Sequence, residues 1–266
     1  MTASGTPAGS VDLHGRRALV TGGPRGIGKV IAEALLAAGA EVVVASRSEP
    51  QQLPQYGDQR AHFIAADIRD VEQQARLVDE TVAAVGGLDL LVNNAGGSPE
   101  ADARTASPRL MASVITLNLV APMQLARLAY PALEQSHAGG LIINIGSVSG
   151  RHPMPGTAAY SAAKAGLSMA TRALAVEFAP AVRVNEVTVG LVLTDAASDY
   201  YGDDDGPARV AGVIPMQRMA TAQDVAGAVL LLCSPLAGYI NGASLLVDGG
   251  GELPARLLAA RPPTPG

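Results

Sequence analysis

The chain has 266 residues, 48% of them apolar and 16% charged, with a formal net charge of −5. That balance supports one large core and excludes global disorder. The acidic charge, the aromatic content of 3% and the absence of tryptophan argue against a nucleic-acid partner. A single cysteine, Cys233, excludes an intrachain disulfide framework and a multi-cysteine zinc site, and no metal is expected. No uninterrupted apolar run reaches the roughly 18–20 residues of a membrane span. The first eleven residues lack the basic and apolar segments of a signal peptide, so a cytoplasmic protein is expected.

Residues 1–13 are small and polar and are expected to form a loose tail. Residues 17–21 form a short apolar run and predict a strand. Residues 27–38 carry apolar side chains at helical spacing and stop at Gly39, a natural helix stop. Residues 41–45 and 61–66 predict the next two strands, 71–85 a helix ending at Gly86 and Gly87, and 88–92 a further strand. Residues 108–135 predict one long helix or a broken pair, 141–145 a strand, and 158–178 a helix ending before Pro180. The last strands are expected at 182–187 and 244–247. Between them 221–233 predicts a helix, with Thr221 and Asp224 in capping-box spacing.

Short apolar strands alternating with longer helices require crossovers, and hence an α/β fold with a parallel sheet covered on both faces. One stretch breaks the rhythm. Residues 191–214 contain Tyr200, Tyr201 and the acidic run 203–205, and a polar loop of that length inside a compact domain is usually functional or mobile.

Two motifs carry chemistry. The first strand runs into Thr21-Gly22-Gly23-Pro24-Arg25-Gly26-Ile27-Gly28, and a helix follows. Gly22 permits a tight turn, Gly26 lets backbone approach a pyrophosphate, Gly28 allows close helix–strand packing, and the helix N-terminus favours negative charge. A site that prefers NAD places an acidic residue after the second strand. Here that strand runs into Ser46-Arg47-Ser48, with no carboxylate. Arg47 and Arg25 are placed to meet a 2′-phosphate, so NADP(H) is the expected cofactor. The second motif is Tyr160-Ser161-Ala162-Ala163-Lys164, with Tyr and Lys on one helix face. A nearby ammonium lowers a phenol's proton affinity, which makes an acid/base pair. Lys29 and Lys164 are the only lysines in the chain.

The glycine spacing and the Tyr-x-x-x-Lys motif resemble those of the short-chain dehydrogenase/reductase family. The resemblance runs from about Arg16 to Gly250 and strengthens at Asn93-Asn94-Ala95-Gly96. It implies a Rossmann-type, doubly wound parallel sheet of about seven strands, one catalytic domain over 14–252, a substrate lid over about 191–216 and a C-terminal tail from 253 to 266. It implies that Ser147 holds the substrate carbonyl oxygen. Asn118 anchors a proton-relay water, Lys164 also meets the nicotinamide ribose, and Tyr160 protonates the carbonyl oxygen. The cofactor residues it implies are those of the glycine turn, Gly22, Arg25, Gly26, Ile27 and Gly28, then Ser46, Arg47 and Ser48. Asp67 and Ile68 join at the adenine, with Asn94, Ala95 and Gly96 beyond them. Tyr160, Lys164, Gly190, Val192 and Thr194 complete the set. Val189 stands where the family has proline, which predicts a looser or differently aimed loop. Ser149, His152, Met154, Val192, Tyr200 and Tyr201 are expected at the substrate, and Met216 and Met219 either there or packed under the lid. The resemblance also implies a homotetramer or homodimer.

The carbonyl donor follows from charge and resemblance together. An acyl carrier protein is acidic and calls for a basic docking patch. The helix ends at 136–138 and 179–181 are not basic, and the acidic run in the lid repels such a partner. The sequence is most similar to actinobacterial ketoreductases of aromatic polyketides, the angucycline-type 6-ketoreductases. Two alternatives remain: a 3-oxoacyl-[acyl-carrier-protein] reductase, and an inactive NADP-binding sensor or scaffold.

Overall fold

The structure, a computed structural model, describes residues 11–193 and 205–254. Seven parallel strands form one sheet. In chain order they are β1 (Arg17–Thr21), β2 (Glu41–Ser46), β5 (His62–Ala65), β6 (Leu90–Asn93), β7 (Gly140–Ser147), β8 (Val182–Val189) and β9 (Ser244–Val247). Their spatial order is β5-β2-β1-β6-β7-β8-β9. The order reverses beside β1, so the C-terminal ends of β1 and β6 diverge into a crevice, where doubly wound sheets bind ligands. The short strands β3 (Gln55–Tyr56) and β4 (Gln59–Arg60) form an exposed hairpin that the sequence reading did not anticipate. Its four residues are polar or half-polar and carry no apolar alternation to betray a strand.

Helices cover both faces. α1 (Gly26–Ala37) packs with α7 (Ala222–Cys233) on one side. α2 (Val71–Val85), α3 (Pro108–Ile115), α4 (Ala121–Glu134) and α5 (Ala158–Glu177) lie on the other, and α6 (Gly206–Val213) falls within the 191–216 stretch. Local chemistry sets the helix ends. Asp70 caps α2 by accepting from the amides of Glu72 (2.9 Å) and Gln73 (3.2 Å), and α2 stops at left-handed Gly86. Thr221 and Asp224 form the expected capping box on α7.

Two expectations need correction. The N-terminal tail is shorter than 13 residues, because Leu13 is buried in the α1–α7 core and its amide donates to the Ala38 carbonyl at 2.8 Å. The segment around Val189 is not looser for want of proline: β8 runs through Val189, which pairs with Ser147 on one side and Val247 on the other. Ladder pairing does there what a proline ring does elsewhere. The expectation for 108–135 holds: α3 and α4 join through a π turn, Thr116–Val120, into one long helix, Pro108–Glu134. That helix is long and apolar enough on average to meet the length and hydropathy of a membrane span, although polar residues interrupt every apolar run in it. In this fold it is a layer of the sheet, packed against α2, β7 and α5.

Candidate active site

The cofactor half of the crevice is built from backbone. β1 ends at buried Thr21, whose Oγ1 accepts from the amides of Asn94 and Ala95, both at 3.0 Å. Asn94 Nδ2 donates back to the carbonyls of Thr21 (2.9 Å) and Gly22 (3.3 Å). These bonds clamp the glycine turn to the segment after β6. Gly28 is required by crowding: a Cβ there would collide with the Gly22 carbonyl and the Asn94 amide. Its close packing is therefore against the turn itself and not only against a strand. Gly26 is the opposite case, with a φ of +53° and nothing within 4 Å of its missing Cβ. That open space lies at the start of α1, whose N-cap residue Arg25 supplies no side-chain hydrogen bond. Uncapped amides facing open space fit a pyrophosphate.

At the end of β2, Arg47 and Ser48 are exposed, and Ser46 Oγ donates to the Ser48 carbonyl at 2.7 Å. Arg25 is exposed as well. Asp67 follows β5 but caps no helix, since Asp70 does that. Its carboxylate is gripped by Arg69, and that hydrogen bonding, with a smaller contribution from the charge of Arg47, holds it below the usual carboxylate range. Ile68, next in the chain after Asp67, is buried.

The reactive half is built from side chains. Asn118 lies in the π turn and is fully buried. Its Oδ1 accepts from the Gly97 amide at 2.9 Å, and its Nδ2 donates to the carbonyls of Gly97 and Val114, each at 2.9 Å. Both amide hydrogens are thus committed to protein, and only oxygen atoms of Asn118 are left to meet a water. A Cβ on Gly96 would lie 2.7 Å from Asn118 Oδ1 and 3.4 Å from Lys164 Nζ, so the Asn94–Gly97 loop touches both residues. Ser147 ends β7, half-buried, with Oγ accepting from the Ser149 amide at 3.2 Å. Lys164 is 5% exposed; its Nζ donates to the Ile145 carbonyl at 2.8 Å and sits 5.6 Å from the Tyr160 ring centroid. Burial pushes Lys164 down to about 8, opposed in part by the charge of Glu186. At neutral pH it remains mostly an ammonium, yet one that loses its proton readily.

The pattern of these contacts decides the matter: a clamped glycine turn at β1, a buried Asn in a helix break, and a buried Lys164 beside the Tyr160 ring. It extends to the whole chain, because residues 22–252 match a family model described as enoyl-(acyl carrier protein) reductase. The chain is a short-chain dehydrogenase/reductase. It is 37% identical to a Streptomyces violaceoruber protein named for ketoacyl reductase 2 of the granaticin polyketide synthase, over 89% of this chain and 96% of that one. Among solved structures it resembles a Sinorhizobium meliloti chain described as a short-chain alcohol dehydrogenase, with a TM-score of 0.83 and 36% identity over 91% of this chain and 98% of the other. It also resembles a 7α-hydroxysteroid dehydrogenase complexed with NADH and 7-oxo glycochenodeoxycholic acid, with a TM-score of 0.83 and 28% identity over 94% and 98% of the two chains. The descriptions name different substrates. Membership therefore establishes an oxidoreductase with a nicotinamide cofactor and a small-molecule substrate.

The remaining expected residues of this short-chain dehydrogenase/reductase fall unevenly. Val192 is buried against the α1–α7 core, and its neighbours pair with Ala220: the Ala220 amide donates to Leu191 and the Leu193 amide to Ala220. That bridge uses neither backbone group of Val192 itself. Gly190 is pinned against Asp248. Ser149 is buried with its hydroxyl on Met154 Sδ at 3.2 Å, whereas His152 and Met154 are exposed. Met219 is buried and Met216 exposed. Thr194, Tyr200 and Tyr201 lie outside the described residues. The sequence reading gave no role to Glu186, a buried carboxylate in β8. The available signal was a Glu inside a strand expected to be covered on both faces.

Proposed function

We propose that this protein is an NADPH-dependent ketoreductase for a ketone of a small polycyclic aromatic polyketide, as in angucycline-type antibiotic biosynthesis. The observation that carries the reaction is the Lys164 Nζ held 5.6 Å from the Tyr160 ring centroid. A bound nicotinamide supplies the hydride. Ser147 Oγ holds the carbonyl oxygen, Tyr160 gives that oxygen its proton, and the Lys164 ammonium lowers the proton affinity of the phenol. Asn118 fixes the Gly96–Gly97 backbone against Lys164. The cofactor choice rests on exposed Arg47 and Arg25 with no carboxylate at 46–48. The substrate class is supported by similarity to the granaticin relative.

The names of that relative and of the family model favour a second reading, a 3-oxoacyl thioester on an acyl carrier protein. NADPH oxidation separates the two when a polycyclic aromatic hydroxyketone and a 3-oxoacyl thioester are compared, with Tyr160→Phe as control. Turnover of the polycycle, lowered roughly 10²–10⁴-fold in Tyr160→Phe, supports the first reading; preference for the thioester replaces it with the second. Arg47→Glu tests the cofactor, and unchanged discrimination between NADPH and NADH defeats that part. The same reading includes a cytoplasmic homotetramer or homodimer. It draws on apolar side chains left exposed in two places: Met123, Met169 and Val176 on α4 and α5, and Leu231, Leu236, Tyr239 and Leu246 around α7 and β9.

A further inference from the structure

Glu186 is a charge in an awkward place. It is 1% exposed in the middle of β8, on the sheet face covered by α5. Its Oε1 accepts from Ser168 (2.9 Å) and Thr188 (3.0 Å), but its Oε2 is buried without a hydrogen-bond partner. Such an orphan costs stability and asks for a compensating use. Room for the carboxylate comes from the neighbouring strand: any Cβ on Gly146 would strike Glu186 Oε1. Gly146 lies between Ile145, whose carbonyl holds Lys164 Nζ, and Ser147. Ser168, which holds Oε1, is one turn of α5 beyond Lys164.

The hydroxyl network has a direction. Arg151 Nη2 donates to Ser244 Oγ at 2.7 Å, Ser244 and Thr188 hydroxyls lie 2.5 Å apart, and Thr188 donates to Glu186. The Thr188 hydrogen is spent on Glu186, so the Ser244 hydrogen points at Thr188. Every hydrogen in the chain, and that of Ser168, is aimed toward Oε1. A carboxylate, which only accepts, is the end group such a chain fits.

We propose that Glu186 is a positioning residue for the reaction, its buried carboxylate supplying the counter-charge that keeps the Lys164 ammonium in place against Ile145 and beside Tyr160. This rests on the reading of Lys164 as the charge that tunes Tyr160. The two side chains act across the Ile145–Gly146 backbone and not as a contact pair. Other charged or titratable groups facing them are Tyr160 on the lysine's own helix, and Arg151 and Arg172, which line with Glu186 a cavity of about 400 Å³. Both arginines are exposed, so solvent screens them more than it screens the buried pair.

The test needs no substrate, because the chain has only two lysines. Full-length protein carrying ¹³Cε-lysine is titrated by NMR, and Lys29→Arg assigns the two signals. Glu186→Gln removes the charge and keeps an acceptor for Ser168 and Thr188. It should lower the Lys164 midpoint by about one pH unit, whereas Glu186→Asp should stay close to the parent. Should Glu186→Gln not fold, the double variant Gly146→Ala/Glu186→Ala removes the same charge and refills the space with a Cβ, and the same downward shift is expected. A folded, charge-free variant with an unmoved Lys164 midpoint overturns the proposal. The alkaline limb of kcat/KM for NADPH-dependent ketone reduction should move down with the lysine. A shifted lysine in a protein that reduces no ketone would defeat the ketoreductase reading and leave the electrostatic role of Glu186 standing.

Discussion

The two faces of the sheet are built on opposite principles. On the face covered by α1 and α7 the strands present Ala18, Val20, Val44, Val92, Ile143 and Val187, and every buried residue of those helices is apolar apart from Gly28. On the face covered by α2, α4 and α5 an apolar core shares the surface with a polar column. There Asn93 Nδ2 donates to Asn144 Oδ1 (2.9 Å), Asn144 Nδ2 donates to Thr171 Oγ1 (2.8 Å), and Glu186, Lys164 and Asn118 lie buried nearby. The first face supplies affinity between layers without orientation. The second gives up some of that affinity for directional bonds, and it is the face on which the reactive groups are aimed.

Four experiments break or sharpen this contrast, the largest effect first. Leu35→Ala hollows the apolar face and should cost about 3–4 kcal/mol in denaturant unfolding, with kcat of the folded protein unchanged. A loss of kcat to match would mean the faces are not separable. Lys164→Met should do the reverse, removing activity while relieving the apoprotein of a buried ammonium, a gain offset at pH 7 by the Glu186 carboxylate left without its counter-charge. The sign of the pH dependence follows from burial. With Lys164 lowered to about 8 from its ordinary 10.5, the native state binds fewer protons than the unfolded chain between those values. Parent stability should therefore rise, relative to the variant, as pH climbs from about 8 to 10.5, and pH-resolved melting checks this. Asn144→Ala strands the Asn93 amide and should cost about 2 kcal/mol; a neutral result would show that the column is not a connected network. The smallest effect belongs to the rim. Thr221→Ala removes one half of the α7 capping box and should cost about 1 kcal/mol, with no change in cofactor affinity. Acid should have a related effect, because bonds from Arg218 and Thr221 hold Asp224 well below the usual carboxylate range, and that contribution is lost as pH falls through its lowered value.

Much of the apolar face was legible in the chain. Runs such as Glu41–Ser46 and the helix Ala222–Cys233 announce themselves by composition and by Gly, Thr and Asp at their ends. The glycine turn and the Tyr160–Lys164 spacing were legible for the same reason: each is a local pattern read within eight residues or fewer. Asn118 is a poor helix former, and it sits in a π turn. The polar column was not legible, since its members come from β6, β7, β8 and α5 and share no local period. Nor was the role of Val189, because the family pattern directs attention to a missing proline and not to the strands that replace it.

The sequence by itself determined the alternation of elements, the parallel sheet and the reactive residue types, because these follow from side-chain period, turn chemistry and spacing along one chain. Only the tertiary structure decided which of those residues meet. Strand register lays Gly146 beside Thr188 and Asn144 beside Glu186, and burial then pushes the proton affinity of Lys164 down. Register and burial depend on contacts between segments far apart in the chain, and no local pattern encodes them.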